Sequence, residues 1–249
     1  VVAHMPYLSR IHLNPLRPQA QRMLRNPQVL HAAVLGGLSR QPVDERVLWR
    51  LETPHEHQLA VLVLTQSTPS WEHLVEQAGW PSADEPQAQV KSYEPLLDQI
   101  QRGRTFAFRL KANPTSATKK PESPSEAQSR RLAGQRPRGV RVAHHRLPDQ
   151  LNWLVDRLRR AGCSVPTDLV NGNEVPAVRA TDRHRLRFHK ARPGTQTPPV
   201  ILESVTFDGL LRIEDPVVAR QALLDGVGTG KAYGFGLLTL APPRSSQER

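Results

Sequence analysis

Cysteine is almost missing from the 249 residues: Cys163 stands alone, so neither an internal disulfide framework nor a cysteine-based zinc site is available. Long apolar runs are missing as well. Those present, such as Leu59 to Leu64, have the length of a strand and fall far short of the ~20 residues that cross a bilayer as a helix. The opening VVAHMPYLSR lacks the basic, apolar and small-residue order of a signal peptide, and residues 1–4 are expected to be an expression remnant ahead of Met5. Together these absences lead to the expectation of a cytoplasmic protein that has no membrane partner. Acidic residues are scarce beside basic ones, 23 against 34, leaving a formal net charge of +11. Such an excess favours a polyanion, because neutralising phosphates releases condensed counterions; nucleic acid is the leading candidate.

Hydrophobic periodicity divides the chain into two similar halves. Tyr7 to Leu13 reads as a half-buried strand, and Asn26 followed by Pro27 starts a helix whose apolar face is Val29, Leu30, Ala33 and Val34. Arg46 to Glu52 and Leu59 to Gln66 read as a hairpin, Trp71 to Ala78 as a helix ending at Gly79, and Thr105 to Lys111 as a closing strand. That order, β-α-β-β-α-β, is the ferredoxin-like unit. Val140 to His144, a helix from Pro148 to Ala161, strands at Ala177 to His189 and Val200 to Asp208, a helix from Pro216 to Leu224 and a strand at Gly236 to Leu240 suggest a second one. The expected fold class is therefore α+β, with two tandem ferredoxin-like (RRM-like) βαββαβ domains over 5–113 and 139–243. Between them, 114–138 is rich in Pro, Ser, Lys, Arg and Gln and is expected to be a basic flexible linker or loop; 244–249 is expected to be a disordered tail.

Chemistry concentrates in three places. In TDRHRLRFH, Arg183, Arg185 and Arg187 recur every second residue and share one face of a strand, with Leu186 and Phe188 on the other. Like charges in such a row repel unless a polyanion crosses it, and Lys190 and Arg192 prolong the row toward a hairpin tip at Pro193–Gly194. A basic hairpin of this kind suits an A-form stem, which is recognised through its phosphates and shape. The glycine-rich GVGTGKAYGFG places Gly228 and Gly230 where backbone amides can approach a phosphate, with Lys231 supplying charge; the pattern is not that of an NTPase loop. Finally, His31 lies one turn into the helix capped by Asn26, with Gln28 three residues earlier on the same face. Imidazole moves protons near neutral pH, and a helix start welcomes a phosphate. His55 and His57 lack a convincing set of further ligands, so no metal site is expected.

Several segments, in order from Tyr7 to Pro242, resemble the CasE family of CRISPR endoribonucleases of the type I-E system: YLSRIHLNP, LRNPQVLHAAVLGGLSR, LWRLE, FRLKANP, VTFDGLLRI and GVGTGKAYGFGLLTLAP. The resemblance implies two ferredoxin-like domains, a basic hairpin entering the groove of a CRISPR repeat stem-loop, and retention of the crRNA hairpin alongside other Cascade subunits. It also implies cleavage at the 3′ base of the stem by 2′-hydroxyl attack, with no metal or other cofactor. His31 matches the family's catalytic histidine and Ser39 a serine at the active site of some members, while Lys231 lies in the loop facing the RNA. Where many members carry tyrosine three residues before the histidine, this chain has Gln28, whose amide cannot act as acid or base near pH 7. A non-catalytic hairpin-binding subunit and a general basic RNA-binding protein are the alternatives. A straight helix would hold Ser39 about 12 Å from His31, so the two can meet only if the chain turns back after Gly36–Gly37.

Overall fold

The computed structural model describes residues 5–55, 58–124, 126–133, 139–190 and 199–243. The leading four residues, the tail 244–249, and Arg192 with the hairpin tip at Pro193–Gly194 lie outside the described residues, as do 56–57 with His57.

The first unit runs β1 (Tyr7–Leu13), α1 (Pro18–Arg25), α2 (Pro27–Leu35), β2 (Leu48–His55), β3 (Gln58–Thr65), α3 (Glu72–Ala78) and β4 (Ala88–Ser92). Its strands form an antiparallel sheet in the order β2-β3-β1-β4, the ferredoxin-like arrangement. Alternation sorts the side chains cleanly. Ile11, Leu13, Val61, Val63 and Trp49 pack with Leu30, Val34 and Leu74 under the helices, whereas Leu48 and Leu64 join a second core shared with the rest of the chain. Both faces of this sheet are covered, which is why the central strand β3 reads as a continuous apolar run.

A short helix α4 (Glu94–Leu97) leads to the second unit: β5 (Thr105–Ala112), β6 (Thr115–Thr118), α5 (Glu126–Leu132), β7 (Val140–Ala143), α6 (Leu147–Arg160), β8 (Cys163–Ser164), β9 (Thr167–Val170), β10 (Asn173–Pro176), β11 (Val178–Phe188), β12 (Val200–Ile213), α7 (Pro216–Asp225) and β13 (Leu238–Ala241). The main path of its sheet is β11-β12-β5-β13, again ferredoxin-like, with β8 paired to β12. Phe106, Phe108 and Leu110 of β5 and Phe207 and Leu211 of β12 pack on Trp153, Leu154 and Leu158 of α6. Cys163 is buried there, its thiol pushed up to about 12 by desolvation and then by Glu214, and is inert as a nucleophile.

Two sequence expectations change. Thr105 to Lys111 is a strand, but it opens the second unit instead of closing the first: β5 pairs with β12 and β13, and the fourth strand of the first sheet is the polar β4. An edge strand exposing Gln89, Val90 and Lys91 on successive positions carries no period-2 signal, so the stronger candidate took its place. The segment 114–138 is consequently not a link between domains. It is an insertion within the second unit, where β6 pairs with β7 from Thr115↔Ala143 to Thr118↔Val140 and α5 lies between them.

Candidate functional site

The N-terminus of α2 is the meeting point of three elements that are far apart in sequence. Asn26 caps it twice over: its Oδ1 accepts from the Gln28 amide at 3.0 Å, and its Nδ2 donates to the His189 carbonyl at 3.3 Å, fastening the helix start to the end of β11. Phe188, the last residue of β11, packs against Tyr233 with ring centroids 4.9 Å apart. Tyr233 in turn belongs to a 3-10 turn, Lys231–Tyr233, that packs against both α2 and β2. Helix start, basic strand and glycine-rich loop thus form one constellation.

The glycines of that loop have local reasons. Gly230 and Gly234 bracket the turn at φ 83° and 82°, the left-handed region that other residues avoid. A Cβ on Gly234 would lie 2.6 Å from the Trp49 ring, and one on Gly228 would lie 3.1 Å from Trp153. Close approach to indoles accounts for Gly228 and Gly234. Lys231 is half-buried, its pKa lowered first by desolvation and then by Arg46, with Asp225 opposing.

His31 is half-buried on α2, and desolvation lowers its pKa below the ordinary value. Its Nδ1 accepts a hydrogen bond from the Trp49 indole N–H at 3.2 Å, and the two rings lie nearly parallel, at 23°. Gln28 shares this side of the helix; its Oε1 is buried and has no hydrogen-bond partner among the described residues. Ser39 is placed differently. The helix does end at Gly36–Gly37, but Ser39 is exposed beyond it, and no hydrogen bond joins it to His31 among the described residues.

On β11 the three arginines share a side, as their spacing predicts, but which side it is depends on a feature the spacing conceals. The register with β12 slips between Thr181 and His184, and Asp182 sits in the slip at φ 42°. This bulge inverts the alternation: Thr181 bonds Asp208 across the sheet at 3.1 Å, whereas Arg183 turns to the other face and donates to Gln150 of α6 at 2.9 Å and to the His145 carbonyl at 3.0 Å. Arg185 pairs with Glu203 at 2.9 Å, and His145 lies 3.1 Å from the same carboxylate. The expected repulsion along the row is therefore partly met inside the protein. Arg187 is exposed and makes no ion pair among the described residues, and Lys190 follows it, also exposed.

Sequence reading missed a cleft of about 430 Å³ between the two sheets. Buried Arg50 stands in its wall, donating to the Arg109 carbonyl at 3.0 Å, the Leu237 carbonyl at 2.8 Å and Thr239 at 2.8 Å, and pairing with Glu52 at 2.5 Å. Arg109 extends the network to Asp208 at 2.6 Å. The arginine of LWRLE was visible, but nothing local tells that its partners are backbone carbonyls on the other sheet. Among the described residues no helix is long and apolar enough to cross a membrane.

Comparison with known proteins agrees with this arrangement. A family model described as CRISPR associated protein matches residues 6–242. Over 240 residues the chain is 32% identical to the CRISPR-associated endoribonuclease Cse3 of Thermus thermophilus, covering 95% of this chain and 100% of that protein. The structure of Thermus thermophilus Cse3 bound to an RNA representing a pre-cleavage complex matches with a TM-score of 0.71 at 32% identity, over 96% of this chain and 100% of that one. Cas6e from Escherichia coli K-12 matches with a TM-score of 0.55 at 21% identity, over 95% of this chain and 100% of that one, and shares the fold.

Proposed function

The chain belongs to the CRISPR-associated protein family, whose model spans nearly all of it, and on that premise we propose that it is an endoribonuclease that binds the stem-loop of CRISPR repeat RNA and cuts at the 3′ base of the stem. The 2′-hydroxyl upstream attacks phosphorus in line: the P–O2′ bond forms and the P–O5′ bond breaks. The products are a 2′,3′-cyclic phosphate, which water opens to a 3′ phosphate in a second step, and a 5′-hydroxyl, whose oxygen gains a proton as the attacking 2′-hydroxyl loses one. No metal takes part, and the mature crRNA hairpin stays bound as the protein acts as a subunit of a Cascade complex in the cytoplasm.

The observation that carries this reading is the fastening of His31's helix to the end of the basic strand through Asn26 and His189. An RNA stem held by Arg183, Arg185, Arg187 and Lys190 then brings its base to the start of α2, where helix polarity favours a phosphate. His31 acts on the reacting phosphodiester and Lys231 meets the negative charge that builds on it. Gln28 offers its unpaired amide oxygen to a hydroxyl, and Ser39 belongs to the rim.

Incubating the protein with a labelled repeat hairpin in EDTA is expected to give one cut, with the 5′-hydroxyl on the downstream fragment. His31→Ala is expected to slow the cut by about 10² or more while hairpin affinity persists. Equal cutting by the variant removes His31 from the reaction, and retention of an intact hairpin by the unmodified chain makes it a binding subunit only.

A further inference from the structure

We infer that Trp49 is a positioning residue for this reaction: its indole N–H occupies His31 Nδ1 and fixes the imidazole as the neutral tautomer with its proton on Nε2, facing the phosphodiester as a hydrogen-bond donor. The inference rests on the assignment of His31 to the cut, but the state of the ring follows from geometry alone. An indole nitrogen can only donate, so at 3.2 Å the Nδ1 it meets must carry a lone pair. A neutral imidazole then has its proton on Nε2. Protonating the ring would set two N–H groups against each other.

The pair is held rigidly. Trp49 is 2% exposed, packed in the core beneath α2, and Gly234 lies so close to its ring that even a Cβ there would collide. Strand β2 and helix α2 both belong to the first unit's sheet-and-helix core, so the indole cannot drift from the imidazole. The charged groups on the elements packed against α2 are Arg22 and Arg25 at the end of α1, Arg50 and Glu52 of β2, which pair with each other, Glu72 and Glu76 of α3, and Lys231 in the glycine-flanked turn beside the titratable Tyr233, while His73 of α3 bonds the Ala33 carbonyl at 2.9 Å. None of these charges shifts the pKa of His31, which burial lowers. A neutral histidine kept as a donor polarises a reacting group without first having to lose a proton.

The test is nitrogen NMR of the full chain with labelled histidine, read alongside the pH profile of hairpin cutting. In the unsubstituted protein, Nδ1 of His31 should give an unprotonated signal and Nε2 a protonated one at pH 7; this measurement needs no substitution. In Trp49→Phe, which keeps an aromatic ring and loses the donor, the tautomers should mix and the His31 titration should move up by about one pH unit, the size of one hydrogen bond. The acid limb of the cutting profile should move up with it. A proton on Nδ1 in the unsubstituted protein, or an unmoved titration in a folded Trp49→Phe, overturns the inference. A chain that shows the expected signals yet never cuts the hairpin refutes the endoribonuclease reading and with it the role of Trp49 in the cut, while the tautomer that Trp49 imposes on His31 stands.

Discussion

Glu203 shows what a single residue does to a row of like charges. It is 14% exposed, directly opposite Arg185 in the β-ladder, and within reach of His145, so it offsets repulsion that the spacing of the arginines alone would leave uncompensated. The pattern Arg183, Arg185, Arg187 was legible as a basic face; its internal partners were not, because the neutral Gln150 comes from α6 and the counterion Glu203 from β12. Arg187 has neither an ion pair nor a side-chain hydrogen bond among the described residues and is the one most open to a phosphate, whereas Arg183 is bonded to Gln150 and the His145 carbonyl. Arg187→Ala is expected to weaken hairpin binding and to flatten the plot of log affinity against log salt by about one, as read by filter binding across a salt series. An unchanged slope would mean that Arg187 meets no phosphate. His31 carries a second residue-scale consequence. Its folded pKa lies below the ordinary 6.5, so the folded chain binds fewer protons than the unfolded one between those values. Its contribution to stability is present above about pH 6.5 and is lost as pH falls through the folded value. The fall in denaturant midpoint between pH 7 and pH 5 should be smaller in His31→Gln than in the unsubstituted chain.

At the scale of elements, most helices and strands were readable because their apolar residues keep period. Asn26–Pro27 marked the start of α2, and the alternation in Thr105 to Lys111 marked a strand. What stayed hidden was partnership. Nothing in Thr105 to Lys111 says whether it lies beside β1 or β12, and β4 was overlooked because an edge strand buries too little to leave a pattern. The bulge in β11 is the sharpest instance. From spacing, Thr181 should share a face with Arg183, yet Asp182 at φ 42° separates them and sends the arginines toward α6. Deleting Asp182 removes the extra residue of the bulge and, by plain alternation, leaves Thr181 and Arg183 on the opposite faces they already hold. Hairpin affinity is therefore expected to hold while the fold survives, as judged by circular dichroism together with binding. A clear loss of affinity in a folded deletion variant would show that the bulge itself, and not only the direction of the row, serves the grip.

The whole molecule depends on how the two units are joined. The proposed reaction requires that α2, from the first unit, and β11, from the second, keep one spacing, and the shared core around Leu48, Leu64 and Phe108 holds them with Arg50 as the polar tie. A planar guanidinium alone can serve two carbonyls, a hydroxyl and a carboxylate at once, so lysine is no substitute. With Arg50 3% exposed, its removal takes the side-chain donor from the Leu237 carbonyl and leaves Glu52 to the longer contact with Arg109 at 3.4 Å, a loss of about 3 kcal/mol by analogy with broken buried pairs. Arg50→Met is therefore expected to lower the denaturant midpoint clearly. Binding and cutting should separate: strands β11 and β12 and helix α6, which carry the proposed grip on the hairpin, lie wholly in the second unit, so affinity should hold in the fraction that remains folded. The cut should slow, because His31 arrives with the first unit and its distance from the bound stem is no longer fixed. Equal losses of affinity and cutting would instead place the role of Arg50 in the stability of the second sheet.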